Sequence, residues 1–92
     1  MLIRSQDRKV IAVLENCDAV SIYEANHIYH IVTYNGTKES RESIGKYSTE
    51  EKAIKVLDMI QNSYQYCEEC KYIGAGASQP EFVFQMPQDS EV

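Results

Sequence analysis

Three features of the 92-residue chain predict an α+β domain: an antiparallel sheet of four to five meandering strands packed on one long helix, with a short C-terminal strand. Residues 48–70 repeat apolar side chains at helical spacing. Residues 2–47 are divided by turn-forming residues into short β-branched runs. The segment Phe82-Val83-Phe84 brings strand propensity back near the end of the chain.

The helix is the best-marked element. Ser48 can cap its free amides while Glu51, three residues on, returns the bond, and Glu50 and Glu51 suit the positive helix end. At 100° per residue Ala53, Val56, Leu57, Ile60, Tyr64 and Cys67 share one side, with Lys55, Asp58, Asn62 and Glu69 opposite. Glu51 and Lys55 are an i,i+4 pair on the water side. Such a helix, about 33 Å long, needs a broad apolar platform.

That platform must come from the first half. Strands are expected at residues 2–5 and 9–14, the latter holding Val10-Ile11-Ala12-Val13-Leu14, and Ala19–Glu24 alternates with Val20 and Ile22 on one face. His27–Tyr34 carries bulky residues on both faces, which suits a central strand covered on both sides or one at a dimer seam. Asn35-Gly36 predicts a type I′ hairpin, because that dipeptide tolerates two positive φ angles. The chain then returns through Thr37–Tyr47, where only Ile44 and Tyr47 look core-facing and the charges of Lys38–Ser43 suit a protected sheet edge. Beyond the helix, residues 74–80 are small and read as a flexible connector, residues 81–86 as the late strand, and residues 87–92 as a mobile polar tail. One domain, 1–92, holds all of this.

Composition narrows the chemistry. The net charge of −5 is uneven: residues 1–47 hold six Lys/Arg against six Asp/Glu, and residues 48–92 hold three against eight. Arg4, Arg8 and Lys9 form the main basic group, too small a cluster for strong phosphate-backbone binding. No apolar run reaches the roughly 18 residues that cross a bilayer, and the start lacks a signal peptide's pattern, so a cytoplasmic protein is expected. Cys17, Cys67 and Cys70 are an odd number and make no disulfide framework.

Cys67-Glu-Glu-Cys70 is the motif that most invites a chemical role, as a zinc chelate or a dithiol, with His27 and His30 as further ligands. Its position argues otherwise. The cysteines fall at a helix carboxyl end beside Glu68 and Glu69, which disfavours thiolate, and His27 and His30 in one strand point to opposite faces. No catalytic residue is assigned: there is no H-E-x-x-H, no Ser-His-Asp spacing, and Gly74-Ala-Gly76 follows a helix instead of opening one. No cofactor is expected. Seven tyrosines and the aromatic late strand suit a protein interface, with Tyr29, Tyr72, Phe82, Phe84 and Met86 as candidate contacts. The late strand can complete its own sheet or add to the edge of another.

The stretches Ile3-Arg4-Ser5-Gln6-Asp7, Gly45-Lys-Tyr47-Ser-Thr-Glu-Glu-Lys-Ala53 with Val56-Leu57 and Ile60, and Val83-Phe84-Gln-Met86-Pro87 resemble a group of small uncharacterised phage and prophage proteins of Gram-positive bacteria. The resemblance implies strands before one helix and a short strand after it, and brings no activity, cofactor or catalytic residue. Cys67 and Cys70 lie outside it. The expectation is a non-catalytic accessory protein that binds a protein partner or a second copy of itself; a small zinc-binding or nucleic-acid-binding module is the alternative.

Overall fold

Short β-branched runs, a capped helix and a returning strand give the order β1 (Leu2–Arg4), β2 (Ile11–Val13), β3 (Ala19–Ala25), β4 (Ile28–Asn35), β5 (Thr37–Tyr47), α1 (Glu50–Tyr72) and β6 (Val83–Gln85). Single 3-10 turns at Leu14–Asn16 and Asp89–Glu91 follow β2 and β6. This computed structural model describes residues 1–72 and 83–92, leaving aside the side chains of residues 37–40 and 70–72. The connector expected at 74–80, together with Phe82, therefore lies outside the described residues.

The fold is α+β, but the single sheet of four to five strands is corrected to two sheets of three: β2-β1-β6 and β3-β4-β5. β1 pairs antiparallel with β2 and parallel with β6, whereas β3, β4 and β5 form an antiparallel meander. The split arises because β1 and β2 are only three residues long and the chain passes into a 3-10 turn before β3, so the two ladders never share a strand. Hydrogen bonds from Gln6 join them instead. Its backbone N–H donates to the Ile44 carbonyl at 2.8 Å, and its side-chain amide accepts from Lys46 N (2.8 Å) and donates to Lys46 O (3.1 Å).

Ile44 and Tyr47, three residues apart, would face opposite ways in a regular strand. A bulge resolves this: Ile31 pairs with Gly45 and Val32 with Ser43, leaving Ile44 as the extra residue on β5. Both Ile44 and Tyr47 thereby reach the core, at 1% exposure each. Gly45 sits between them, where a Cβ would come within 2.9 Å of Met86 Cε and 3.0 Å of Tyr47 Cε2, so glycine is what lets those side chains close over β5.

The helix covers one face of β3-β4-β5. Ala53, Val56, Ile60 and Cys67 are buried, and Leu57 and Tyr64 pack half-buried against the same core, which also holds Met1, Ile3, Ile31 and Met86. Its start is one residue later than expected: Thr49 Oγ1 accepts the Lys52 amide at 3.2 Å. Ser48 is instead held by Asp89, whose Oδ1 accepts both the Ser48 N–H (2.8 Å) and its hydroxyl (3.1 Å).

Asp89 belongs to residues 87–92, read from sequence as a mobile tail, and this segment is tied to the rest of the chain by hydrogen bonds. Tyr47 Oη donates to Pro87 O at 2.8 Å, Gln88 Nε2 donates to Gln6 O at 2.9 Å, and Lys52 Nζ reaches Asp89 O at 3.0 Å. A short polar segment stays docked because it supplies acceptors to a helix start and to the Gln6 junction.

The hairpin expected at Asn35-Gly36 is present, β4 returning into β5 with Asn35 paired to Thr37, but its turn is not type I′. Of Asn35-Gly36, Gly36 carries the positive φ of 85°, whereas Asn26 and His27 have φ of 52° and 62° and link the paired residues Ala25 and Ile28. The two-residue turn with both φ positive is therefore Asn26-His27, between β3 and β4.

Candidate functional site

The register of β3 and β4 follows from that turn and decides what the sheet's second face carries. Tyr23 pairs with His30, Ser21 with Val32, and Ala19 with Tyr34, so Tyr23, Ala25, Ile28, His30, Val32 and Tyr34 all lie on the face away from the helix. On β5 the bulge places Ser43 beside Val32 on this face. In a two-layer domain the uncovered face of an antiparallel sheet is usually polar. Here Tyr23 and Ile28 are 38% and 41% exposed on it.

Within this face lies a pocket of about 330 Å³ lined by Tyr23, Ala25, His30, Val32, Arg41 and Ser43. Val32 forms an apolar floor, with 2% of its surface exposed. Arg41 lies over the Tyr23 ring, its guanidinium carbon 3.9 Å from the ring centroid, a cation–π arrangement. No carboxylate pairs with Arg41 among the described residues. His30 Nδ1 and Ser43 Oγ are 3.1 Å apart, and the His30 ring is tilted against Tyr23 at 6.3 Å. Burial, then the nearby Lys46 ammonium, lowers the His30 pKa below its ordinary value, so the ring is neutral at pH 7.

Among the described side chains of this face the charged ones are Arg41 and Lys46. The register positions of β3 and β4 that point away from the helix carry no Asp or Glu; Glu24 and Glu42 alternate to the other side. Arg41 and Lys46 therefore sit in an apolar, aromatic surrounding on a chain whose net charge is −5.

Two further grooves flank the helix. One, of about 360 Å³, involves Met1, Tyr66, Val83 and Phe84, and the other, of about 320 Å³, involves Leu14, Val20, Leu57 and Tyr64. Both are mainly apolar. The sheet pocket differs in bringing an arginine, an imidazole and a hydroxyl toward one point over an apolar floor, which is how ligand sites are built.

The residues singled out from sequence fall elsewhere. Tyr29 is on the helix side, half-buried against the core, and bonded to the Glu24 carboxylate, which raises its pKa ahead of burial. Phe84 packs against the core and Met86 is buried at 1% exposure, both in the segment that pairs with β1 of the same chain. Phe82 and the side chains of Tyr72 and Cys70 lie outside the described residues. Cys67 is buried on the helix and His30 opens on the far face of the sheet, so the structure does not bring these two together; His27 is exposed in the turn. Among the described residues no group of three or more His, Cys, Asp or Glu could hold a metal ion. Arg4 is turned back on its own loop, donating to the Arg8 carbonyl at 3.0 and 3.2 Å.

Arg41 and Ser43 were not legible as a site because the Lys38–Ser43 stretch reads as edge protection, and Val32 because His27–Tyr34 reads as bulky on both faces. The available signal was parity: once Asn26-His27 is taken as the turn, Tyr23 must face His30. No protein-family model, curated protein or solved structure matches the chain. No helix among the described residues is long and apolar enough to cross a membrane.

Proposed function

We propose that this chain is a non-catalytic accessory protein of phage or prophage origin that works in the bacterial cytoplasm by binding another protein through the outer face of β3-β4-β5. The observation that carries the reading is a sheet face that no described element covers, where tyrosines and isoleucine surround a buried valine and an arginine that pairs with no carboxylate of the described residues. Aromatic residues with arginine over a desolvated centre are the composition of binding hot spots. A two-fold pairing of this face with itself would set Arg41 and Lys46 against their own copies, so a different protein is the better occupant.

A photo-crosslinker placed at Ser21 on this face, and separately at Asp58 on the exposed side of the helix, tests the proposal in host cells. A discrete adduct from position 21 and not from 58, lost in a Tyr23→Ser/Ile28→Ser variant that melts like the parent, is the expected result. Adducts from the helix alone, or survival of the adduct in that variant, would overturn it.

A further inference from the structure

We propose that the pocket between Tyr23, His30 and Arg41 is a receptor for a carboxylate side chain of an acidic peptide segment on the partner. This rests on the outer-face reading and specifies the group recognised there. Arg41 already lies over Tyr23 with its guanidinium carbon 3.9 Å from the ring centroid, and this cation–π contact reduces the side-chain freedom left to lose when a ligand arrives. An arginine fork matches a carboxylate with two parallel hydrogen bonds, and no acidic group of the described residues occupies that place.

The remaining walls fit the same ligand. Ser43 Oγ, paired with His30 Nδ1 at 3.1 Å, adds a hydroxyl beside the anion position, while Val32 and Ala25 offer apolar contact to the methylenes that carry a glutamate head group. A pocket of about 330 Å³ holds a side chain of that size and excludes a folded domain. Lys46 lies close enough to influence the His30 ring and extends the positive field at the rim. Charge complementarity thus selects an acidic segment, even though the rest of this chain is acidic and would repel one. A nucleic acid strand is less suited, because one stacked arginine and one lysine neutralise few phosphates.

The test is a titration of the isotope-labelled full chain, followed by backbone amide resonances, with a blocked pentapeptide carrying two glutamates around a leucine and with its glutamine counterpart. The expected result is saturable shifts at Tyr23, His30, Val32 and Ser43 with the glutamate peptide, and binding weaker by about tenfold or more with the glutamine peptide and with Arg41→Gln. Arg41 is exposed, so its variant keeps the parent's resonance pattern elsewhere. Equal binding of the two peptides, with shifts at Tyr23, Ile28 and Tyr34, would overturn carboxylate recognition while leaving the outer face as the binding surface. Shifts confined to other elements, or none with either peptide, would overturn the pocket; the crosslinking experiment separately decides the face. A single-stranded oligonucleotide that binds the same residues more tightly than the glutamate peptide would overturn both.

Discussion

Gln6 and Tyr47 show how single side chains close this small molecule. Gln6 uses its amide as a strand would use its backbone, bonding both the N–H and the carbonyl of Lys46, while its main chain reaches Ile44 and receives Gln88. Tyr47 is 1% exposed, and its hydroxyl donates to Pro87 O; burial, then Asp89 and Glu91, pushes its pKa up to about 12. Because the folded chain holds that proton more tightly than the unfolded one, the stabilisation is complete below pH 10 and is lost as pH rises from 10 toward 12. Over that interval the loss is about 2 to 3 kcal/mol. Tyr47→Phe should cost about 1 kcal/mol at pH 7, since Pro87 O keeps its bond from Gln6 Nε2, and should flatten the alkaline decline. Thermal melting from pH 7 to 11 measures both; a variant whose melting falls as steeply as the parent's above pH 10 would contradict the assignment.

At the scale of elements, the turns and the bulge set which side chains share a face. His27 occupies a left-handed position with φ of 62°, where a side chain is strained and glycine is not. His27→Gly is therefore expected to stabilise the chain by roughly 0.5 to 1 kcal/mol, read from urea midpoints at an unchanged slope. A lower midpoint would mean that the histidine ring makes contacts worth more than its strain. The helix was legible in sequence almost entirely, because the stripe Ala53, Val56, Leu57, Ile60, Tyr64 and Cys67 obeys one period and is the surface that packs. The sheets were legible as strands but not as an arrangement. Asn35-Gly36 marks the β4–β5 hairpin, but Asn26-His27 is a weaker compositional signal for the β3–β4 turn, and the bulge at Ile44 is marked locally only by the adjacent Gly45. The site was hidden for the same reason: Tyr23 and Arg41 meet only after the register of three strands is known.

Across the whole molecule, one cluster of buried side chains serves both sheets and the helix, joining Ile3 of β1, Ile31 of β4, Ile60 of α1 and Met86 beyond β6. A chain of this size has a small margin, on the order of 5 to 14 kcal/mol. Ile60→Ala, at a position 5% exposed, should cost about 2 to 5 kcal/mol and lower the melting temperature by about 8 °C or more, at about 4 to 8 °C per kcal/mol. Loss of the β2-β1-β6 signals at the same temperature as those of the helix would show that the two sheets melt as one body. Separate transitions would show that the Gln6 junction is too weak to couple them.

The parallel pairing of β1 with β6 has a consequence for biosynthesis. β1 leaves the ribosome before β6, and the neighbour that lies along one of its sides is translated some eighty residues later. Throughout that interval the nascent chain holds a bare ladder of amide and carbonyl groups, and the helix waits without the aspartate that fastens Ser48. Closure of that sheet thus waits until residues 83–89 have been made.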